Sequence, residues 1–360
     1  MGKKAVFKLF YFVSIIITLI IAIITGLASY ASNVSPESSK VMAVLALALP
    51  VLLIINLLFA VYWAIRLRFW VWIPIIAIAC GWNFITSVYQ FSDKSIEMPN
   101  DAKGLTIASY NVTNFGKDGG YSCNRIADFM NLEKVDIICL QEYGVYTTLT
   151  DDSIRAVFKD WPYFVVPKAE GHNLLQLAVF SKYPIGQSKL IPYPDTQNNS
   201  MWCDIEVNGT TIRLFNNHFQ TTNVRQSRKT YETKIQNTKL IYESQFAMNV
   251  GELILDNERK RAQQIDLISG LVKESPYPVL LCGDFNSMPS TYSYRTIGKS
   301  GLIDGFKTAG HGYAYSYRYY KKILRIDYIF HSPSINVTEY FSPDLDISSD
   351  HNPVVMRFNL

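Results

Sequence analysis

Residues 280–290 read LLCGDFNSMPS. An apolar run stops at Gly283 and gives way at once to an acid, an aromatic ring, an amide and a hydroxyl. Apolar stretches of this length bounded by Gly and Pro are strand signals. Taken alone, Gly283-Asp284 is accounted for by a turn, because both residues are favoured there for backbone reasons. The alternative is a strand end that carries Asp284 and Asn286 to the mouth of a site. Whether the rest of the chain repeats the pattern decides between them.

It does repeat. LTIASYNVTNF (105–115) alternates and then meets Asn111, and VDIICLQEY (135–143) runs into Gln141-Glu142. LLQLAVFSKYPI (174–185) ends at Ser181-Lys182, and TTIRLFNNHFQ (210–220) at Asn216-Asn217-His218. LRIDYIFHSP (324–333) holds Asp327 in mid-run, and SSDHNPVVMRF (348–358) opens on Asp350-His351 before a final strand. Helical patterns lie between them, a short one over Asn124–Leu132 and a longer one over Glu258–Lys273. The longer one has an apolar stripe at Ala262, Ile265, Ile268, Leu271 and Val272. Strands interleaved with covering helices predict an α/β sandwich whose strand ends gather on one edge.

No GxGxxG, GxSxG or GxxxxGK[ST] occurs, so Rossmann, α/β-hydrolase and P-loop chemistries have no motif here. The polar groups at the strand ends are oxygen-rich and free of thiols, which suits a hard cation such as Mg²⁺ or Mn²⁺ rather than zinc. The five cysteines are scattered without ligand or disulfide spacing. A formal charge of +4 is too weak to imply a nucleic-acid binder by itself. Asp327 is the residue that a bland reading explains least. An unpaired charge inside an apolar strand would cost several kcal/mol, so it needs a partner, and a histidine is an economical one.

The first quarter of the chain differs in kind. Three apolar stretches, Leu9–Ala31, Val41–Ile65 and Phe69–Tyr89, carry no internal Asp, Glu, Lys or Arg. Each approaches the ~20 residues that cross a ~30 Å hydrocarbon core as helix. They predict a membrane domain over 1–91 with three transmembrane helices, a polar linker over 92–104 and a soluble unit over 105–360. Lys3, Lys4 and Lys8 precede the first stretch, and Arg66 and Arg68 separate the second from the third. The positive-inside rule therefore puts the N-terminus in the cytoplasm and the soluble unit on the opposite, periplasmic or extracellular, side.

The runs SYNV, LQEY, AVFSKYPI, NNHF, GDFNS, RIDYIF and SDHNPV, in that order, resemble the endonuclease/exonuclease/phosphatase superfamily. That group includes DNase I, abasic-site endonucleases, neutral sphingomyelinases and inositol-polyphosphate phosphatases. The resemblance covers residues 105–360, and GDFNSMPSTYSYRTI followed by RIDYIFHS looks like its membrane-anchored bacterial members. It implies a four-layer α/β/β/α sandwich, DNase I-like, preceded here by the three transmembrane helices of a bacterial inner-membrane protein.

Roles follow from the resemblance motif by motif. Glu142 matches the main metal-binding carboxylate, Asn111 an amide that holds metal or phosphate, and Asp350 a metal or phosphate-side ligand. Asp284 and Asn286 match the pair that orients or deprotonates the attacking water. His351 matches the histidine beside the scissile phosphate, and Asp327 the carboxylate paired with it. His218 matches the second histidine of the DNase I and sphingomyelinase branches. The chain departs from the pattern in places. Only Glu170 offers itself as a carboxylate for His218, and Thr113 stands where some abasic-site endonucleases have an acid. Thr221–Asn257 is a long insertion whose Arg225, Arg228, Lys229, Lys234 and Lys239 suit either a polyanion or, interleaved with Glu232, Glu243 and Glu252, a solvated helix face.

The expectation is a membrane-anchored, divalent-metal-dependent (Mg²⁺ or Mn²⁺) hydrolase of phosphate esters, of phosphodiesterase or nuclease type. A lipid phosphodiesterase or phosphatase acting on a headgroup is the alternative. A non-catalytic membrane interaction module would have lost the ligands that are present here.

Overall fold

The computed structural model describes residues 3–91, 104–146, 148–168, 174–222 and 239–360. Two N-terminal helices, α1 (Lys3–Ala31) and α2 (Lys40–Ile65), are long and apolar enough to cross a membrane. At 1.5 Å per residue they reach roughly 43 and 39 Å, so each outruns a ~30 Å hydrocarbon core. Polar side chains join them. Asn56 donates to the Thr25 hydroxyl at 2.7 Å, and the Trp63 indole donates to that of Thr18 at 2.9 Å. Such bonds tie helices together where the surroundings offer no water.

The third apolar stretch is not the single straight helix its hydropathy predicts. A short 3₁₀ turn at Phe69–Val71 leads into α3 (Trp72–Cys80) and α4 (Trp82–Val88), which bend by 59° at Gly81. A side chain at Gly81 would collide with Leu53 of α2, so the bend sits at a close contact between the two helices. Of the linker expected over 92–104, only Gly104 is among the described residues.

Two six-stranded sheets follow. One runs β13-β14-β2-β3-β5-β4, comprising β2 (Leu105–Asn111), β3 (Ile137–Gln141), β4 (Tyr163–Val165), β5 (Leu177–Ser181), β13 (Asn336–Phe341) and β14 (Val354–Asn359). The other runs β10-β12-β9-β8-β7-β6, comprising β6 (Ile185–Pro192), β7 (Asn199–Val207), β8 (Thr210–His218), β9 (Val279–Asp284), β10 (Ile303–Asp304) and β12 (Asp327–His331). Each sheet has one parallel pair at its centre, β2 with β3 and β8 with β9, and is otherwise antiparallel.

The sheets face each other across Ile107, Ile137, Cys139 and Val179 on one side and Met201, Cys203, Leu214, Leu280, Cys282 and Ile329 on the other. Helices α5 (Tyr121–Leu132) and α6 (Asp151–Val157) cover the first sheet through Ile126, Met130 and Ile154. Helices α7 (Lys239–Lys273) and α8 (Tyr292–Lys299) cover the second through Ile265, Ile268 and Ile297. The layers are therefore α/β/β/α, as expected. Strands buried on both faces favour apolar residues throughout, which is why β3 and β9 read as continuous runs. Helix α7 begins 19 residues before the predicted Glu258, inside the segment expected to be an insertion.

Hydrogen bonds among the described residues join the sandwich to one end of the helical bundle. Arg295 donates to Asn33 at 3.3 Å, Gln263 to Glu37 at 2.6 Å and Lys307 to Asn83 at 2.7 Å. Buried Arg325 donates to the Ser87 carbonyl at 2.8 Å and pairs with Asp304, and Tyr294 reaches both Ser87 and Asp304. A two-residue strand after α4, β1 (Tyr89–Gln90), pairs with β11 (Gly312–Tyr313).

Candidate active site

The strand ends converge at the edge where the two sheets face each other. Asn111 ends β2 and Glu142 follows β3, while His218 ends β8, Asp284 ends β9 and Asp327 opens β12. Register makes this unavoidable in the second sheet. His218 is the parallel partner of Asp284, and Asp327 is its antiparallel partner. Below them a buried bond between the sheets, Gln141 to Asn216 at 2.7 Å, fixes the floor, and the Asn216 amide donates on to the Leu140 and Ala178 carbonyls.

Gly283 sets the approach. Its φ of +133° is glycine territory, and a methyl there would overlap the Asn217 backbone on β8. The strand can then leave the sheet so that Asp284 and Asn286 both turn toward the cleft. Glu142 and Asn286 themselves take left-handed backbone, at φ 51° and 50°, which turns each sharply out of its strand.

The amide of buried Asn111 bridges the sheets, donating to Glu142 and to Asp284 at 3.1 Å each. The other Asp284 oxygen accepts from the Asn286 backbone N–H at 2.8 Å. Two imidazoles flank Asp284, with Nε2 of His218 and Nε2 of His351 each 3.6 Å away. Nδ1 of His351 lies 2.8 Å from Asp327, which answers the buried-charge problem. Asp350 accepts from the Thr113 hydroxyl at 2.8 Å, so the residue that stands in place of an acid anchors one instead.

Burial holds the Asp284 carboxyl above the usual carboxylate range; the nearby His351 pulls it back, Asp327 adds to the rise and His218 opposes it. Burial disfavours charge on His351 too, but the Asp327 and Asp284 carboxylates outweigh it and keep the imidazole protonated. His218 is pushed the other way, mainly by burial, and stays neutral. Its Nδ1 finds no hydrogen-bond partner among the described residues, and Glu170, the carboxylate expected there, lies outside them. The basic residues Arg225, Arg228, Lys229 and Lys234 also lie outside, and nothing is described of the Lys239 side chain.

Glu142, Asp284, Asn286, Asp350 and His351 line a cleft of about 740 Å³. The described basic residue in its wall, Arg261, is committed to Glu258 at 2.8 Å and to the Gln220 carbonyl at 2.6 Å. Burial raises the Glu142 pKa, with Asn111 and His351 opposing and Asp350 adding to the rise. Glu142 and Asp350 repel one another and offer oxygen donors, and the cations described in the wall, Arg261 and His351, are already paired with Glu258 and Asp327, a setting that fits a hard divalent ion. Ligand atoms on Asp284, Asp327 and His351 lie within 4.8 Å of one another, but the Asp327–His351 hydrogen bond already engages two of these residues.

Sequence reasoning missed the apolar part of the wall. Tyr317, whose ring meets His351 edge-on at 5.1 Å, and Tyr320, Leu324 and Ile326 come from the loop before β12. Leu47 comes from α2, far from any strand-end motif. Only the aromatic and basic run YRYYKKILR (317–325) signalled part of this.

Known proteins agree with the architecture. A family model described as the endonuclease/exonuclease/phosphatase family matches residues 108–351, and another, described as a domain of unknown function, matches residues 7–88. No curated protein sequence matches the chain. Among solved structures, a humanized D. rerio TDP2 carrying 14 mutations superposes with a TM-score of 0.51 at 18% identity, covering 71% of this chain and 99% of that one. An endonuclease/exonuclease/phosphatase from Bacteroides vulgatus gives 0.50 at 19% identity, covering 72% and 99%. One from Beutenbergia cavernae gives 0.50 at 16%, covering 71% and 72%. These likenesses establish the fold, and the members of the matched family depend on divalent metal, as the oxygen-rich donor set here suits. With the family model spanning most of the sandwich and Glu142, Asp284, Asn286, Asp350 and His351 lining one cleft, the chain belongs to the endonuclease/exonuclease/phosphatase family and is a phosphoric ester hydrolase.

Proposed function

We propose that the chain is a membrane-anchored phosphodiesterase that uses Mg²⁺ or Mn²⁺. The observation that carries this reading is the convergence of Asn111, Glu142, Asp284 and the Asp327–His351 pair at the mouth of one cleft. Glu142 and Asp350 would hold the ion, with Asn111 steadying Glu142. A bound divalent ion would neutralise phosphate oxygens as negative charge builds on them.

The protein's own groups do the rest. Asp284, held above the usual carboxylate range, is an acceptor for a proton of the attacking water, and Asn286 fixes its carboxylate through the backbone N–H. Protonated His351 donates toward the phosphoryl oxygens, and Asp327 fixes its ring and its charge. Neutral His218, wedged between Glu142 and Asp284, keeps those two carboxylates apart.

Anchoring is through α1, α2 and the bent α3–α4 pair read as a third crossing. Two observations support that reading. Asn33, Glu37, Asn83 and Ser87, which all contact the sandwich, belong at one end of the bundle. At the other end Trp70 bonds Tyr11 at 3.0 Å, beside Arg68. An odd number of crossings satisfies both and leaves the N-terminal lysines and the Arg66–Arg68 turn in the cytoplasm.

The test is turnover of methyl p-nitrophenyl phosphate, plasmid DNA, sphingomyelin and phosphoinositides by the full chain with Mg²⁺, with Mn²⁺ and with chelator. Metal-dependent diester cleavage that falls at least ~10²-fold in a folded His351→Ala variant is expected. Undiminished hydrolysis in that variant would overturn the assignment.

A further inference from the structure

The cleft is not closed by the sandwich alone. Leu47 of α2 lines the same cleft as Glu142, Asp284 and His351. It is seven residues along α2 from Lys40, about 10 Å from the helix start, where a helix that outruns the hydrocarbon core is passing its boundary. Its neighbours on that face at helical spacing, Val44 and Val51, are 49% and 59% exposed. The cleft wall therefore continues without a break into the lipid-facing stripe of a membrane-crossing helix.

The rest of the apolar lining comes from Ile254 of α7, Met288, Leu324 and Tyr320. Beside it, Tyr320 and Ile323 are 54% and 58% exposed next to Lys321 and Lys322, the mixture that settles among lipid headgroups. That loop is tied to the membrane end of the bundle: Tyr313 bonds the Ile323 carbonyl at 2.7 Å and pairs in β-register with Tyr89, which directly follows α4. The buried Arg325–Asp304 pair, holding Ser87, keeps the whole arrangement from swinging away.

We propose that the active site takes its substrate from the bilayer, as an amphiphile whose phosphate ester lies against Glu142, Asp284 and His351 and whose apolar tail runs along α2 past Leu47. The proposal rests on the hydrolase reading and narrows its substrate. The membrane domain is then part of the binding site, which accounts for a multi-helix bundle where one helix would anchor. The chemistry needs no further reactant. The water oxygen bonds to phosphorus as the P–O bond to one alcohol breaks, Asp284 takes the water proton, and the departing alcohol oxygen takes one in turn. Nucleic acid fits less well, because a polyanion needs free cations along its track and the described basic residue of this wall is already paired.

Three esters with one leaving group separate the possibilities: methyl, hexadecyl and thymidine-5′ p-nitrophenyl phosphates, the second carried in phosphatidylcholine vesicles and all offered to the full chain in such vesicles. We expect kcat/KM for the hexadecyl ester to exceed that for the methyl ester tenfold or more. Leu47→Trp, which fills the tail path from α2, and Ile254→Trp, which fills it from α7, should each reduce that ratio about tenfold. Leu58→Trp, on a lipid-exposed part of α2 outside the cleft wall, should leave rate and ratio unchanged. Equal turnover of hexadecyl and methyl esters, a ratio untouched by both cleft variants, or preference for the thymidine ester would overturn the proposal while leaving the hydrolase reading intact. Failure to cleave even the methyl ester would overturn both.

Discussion

Replacing Gly283 with alanine tests the stretch on which the reading of the site turns. Gly283 sits at φ +133°, a region open to glycine and costing other residues roughly 1–3 kcal/mol. A methyl built there overlaps the Asn217 carbonyl oxygen and comes within 2.8 Å of that residue's carbonyl carbon and nitrogen. Asn217 is the register partner of Gly283, so relief requires β8 and β9 to part locally. Overpacking of this kind costs about 1–3 kcal/mol more. Together these terms are roughly 2–6 kcal/mol, a large share of a typical domain's stability, and lower the melting temperature by about 5–15 °C. Parting β8 from β9 also separates His218 from Asp284 and strains the 3.1 Å bond from Asn111 to Asp284. Misplacement on the order of 1 Å costs roughly 10² in rate, so turnover well below the melting point should fall by about that factor. The full chain in detergent would be followed by near-UV circular dichroism on heating and by hydrolysis of methyl p-nitrophenyl phosphate. Gly209→Ala is the control. Its φ of +84° is also left-handed, but nothing lies within 4 Å of the added methyl, so it should lose about 1 kcal/mol and keep its activity. A Gly283→Ala protein that melts and turns over like its parent would refute the claim that this glycine shapes the site.

Other expectations follow from single contacts. Asp327→Asn keeps the shape of the side chain but removes the charge 2.8 Å from His351, and turnover should fall about 10²–10⁴-fold in a folded protein, as read by kcat. Arg325→Met strands Asp304 in the core at a cost of roughly 3–5 kcal/mol, measurable by thermal unfolding, and adding Asp304→Asn should recover part of it while keeping the bond that caps α9 (Gly305–Ala309). A reporter enzyme fused after Leu360 should be active only when it is designed to work outside the cytoplasm; cytoplasmic activity would overturn the three-crossing topology.

The strands that build the site were legible because they are sandwiched. Between two layers a strand has no wet face, so β3 and β9 are apolar up to the sheet edge, β12 is apolar through Tyr328–Phe330, and β2 admits only the small polar Thr106 and Ser109 before Asn111. Edge strand β6 is exposed over Gly186–Lys189 and escaped notice, because there the pattern carries no burial signal. Hydropathy located the third apolar stretch but not its bend, which depends on how closely Gly81 approaches Leu53 rather than on polarity. The cost of a buried charge called for a partner to Asp327, and the family resemblance named His351, which lies 2.8 Å from it. Leu47 was out of reach: it lies 95 positions before Glu142, and a leucine in an apolar helix looks the same whether it faces lipid or a cleft.

The division of labour between Asp284 and Asp327 follows from the sheet itself. As antiparallel partners at the end of β9 and the start of β12, they are two acids held side by side in a space from which water is almost excluded. Two carboxylates so placed cannot both stay charged without a cation between them. His351 is that cation, 2.8 Å from Asp327 and 3.6 Å from Asp284. The shorter contact uses Nδ1 and commits Asp327 to orienting the ring, whereas Asp284 faces Nε2 and the cleft. Losing Asp327 therefore deprives His351 of its tautomer, its charge and its aim together. Losing Asp284 removes the proton acceptor and leaves the ring in place. Activity should fall steeply in both cases, but only the Asp327 variant should lose the downfield NMR signal of the hydrogen-bonded Nδ1 proton of His351; an Asp284→Asn protein that lost it too would reverse the assignment of roles.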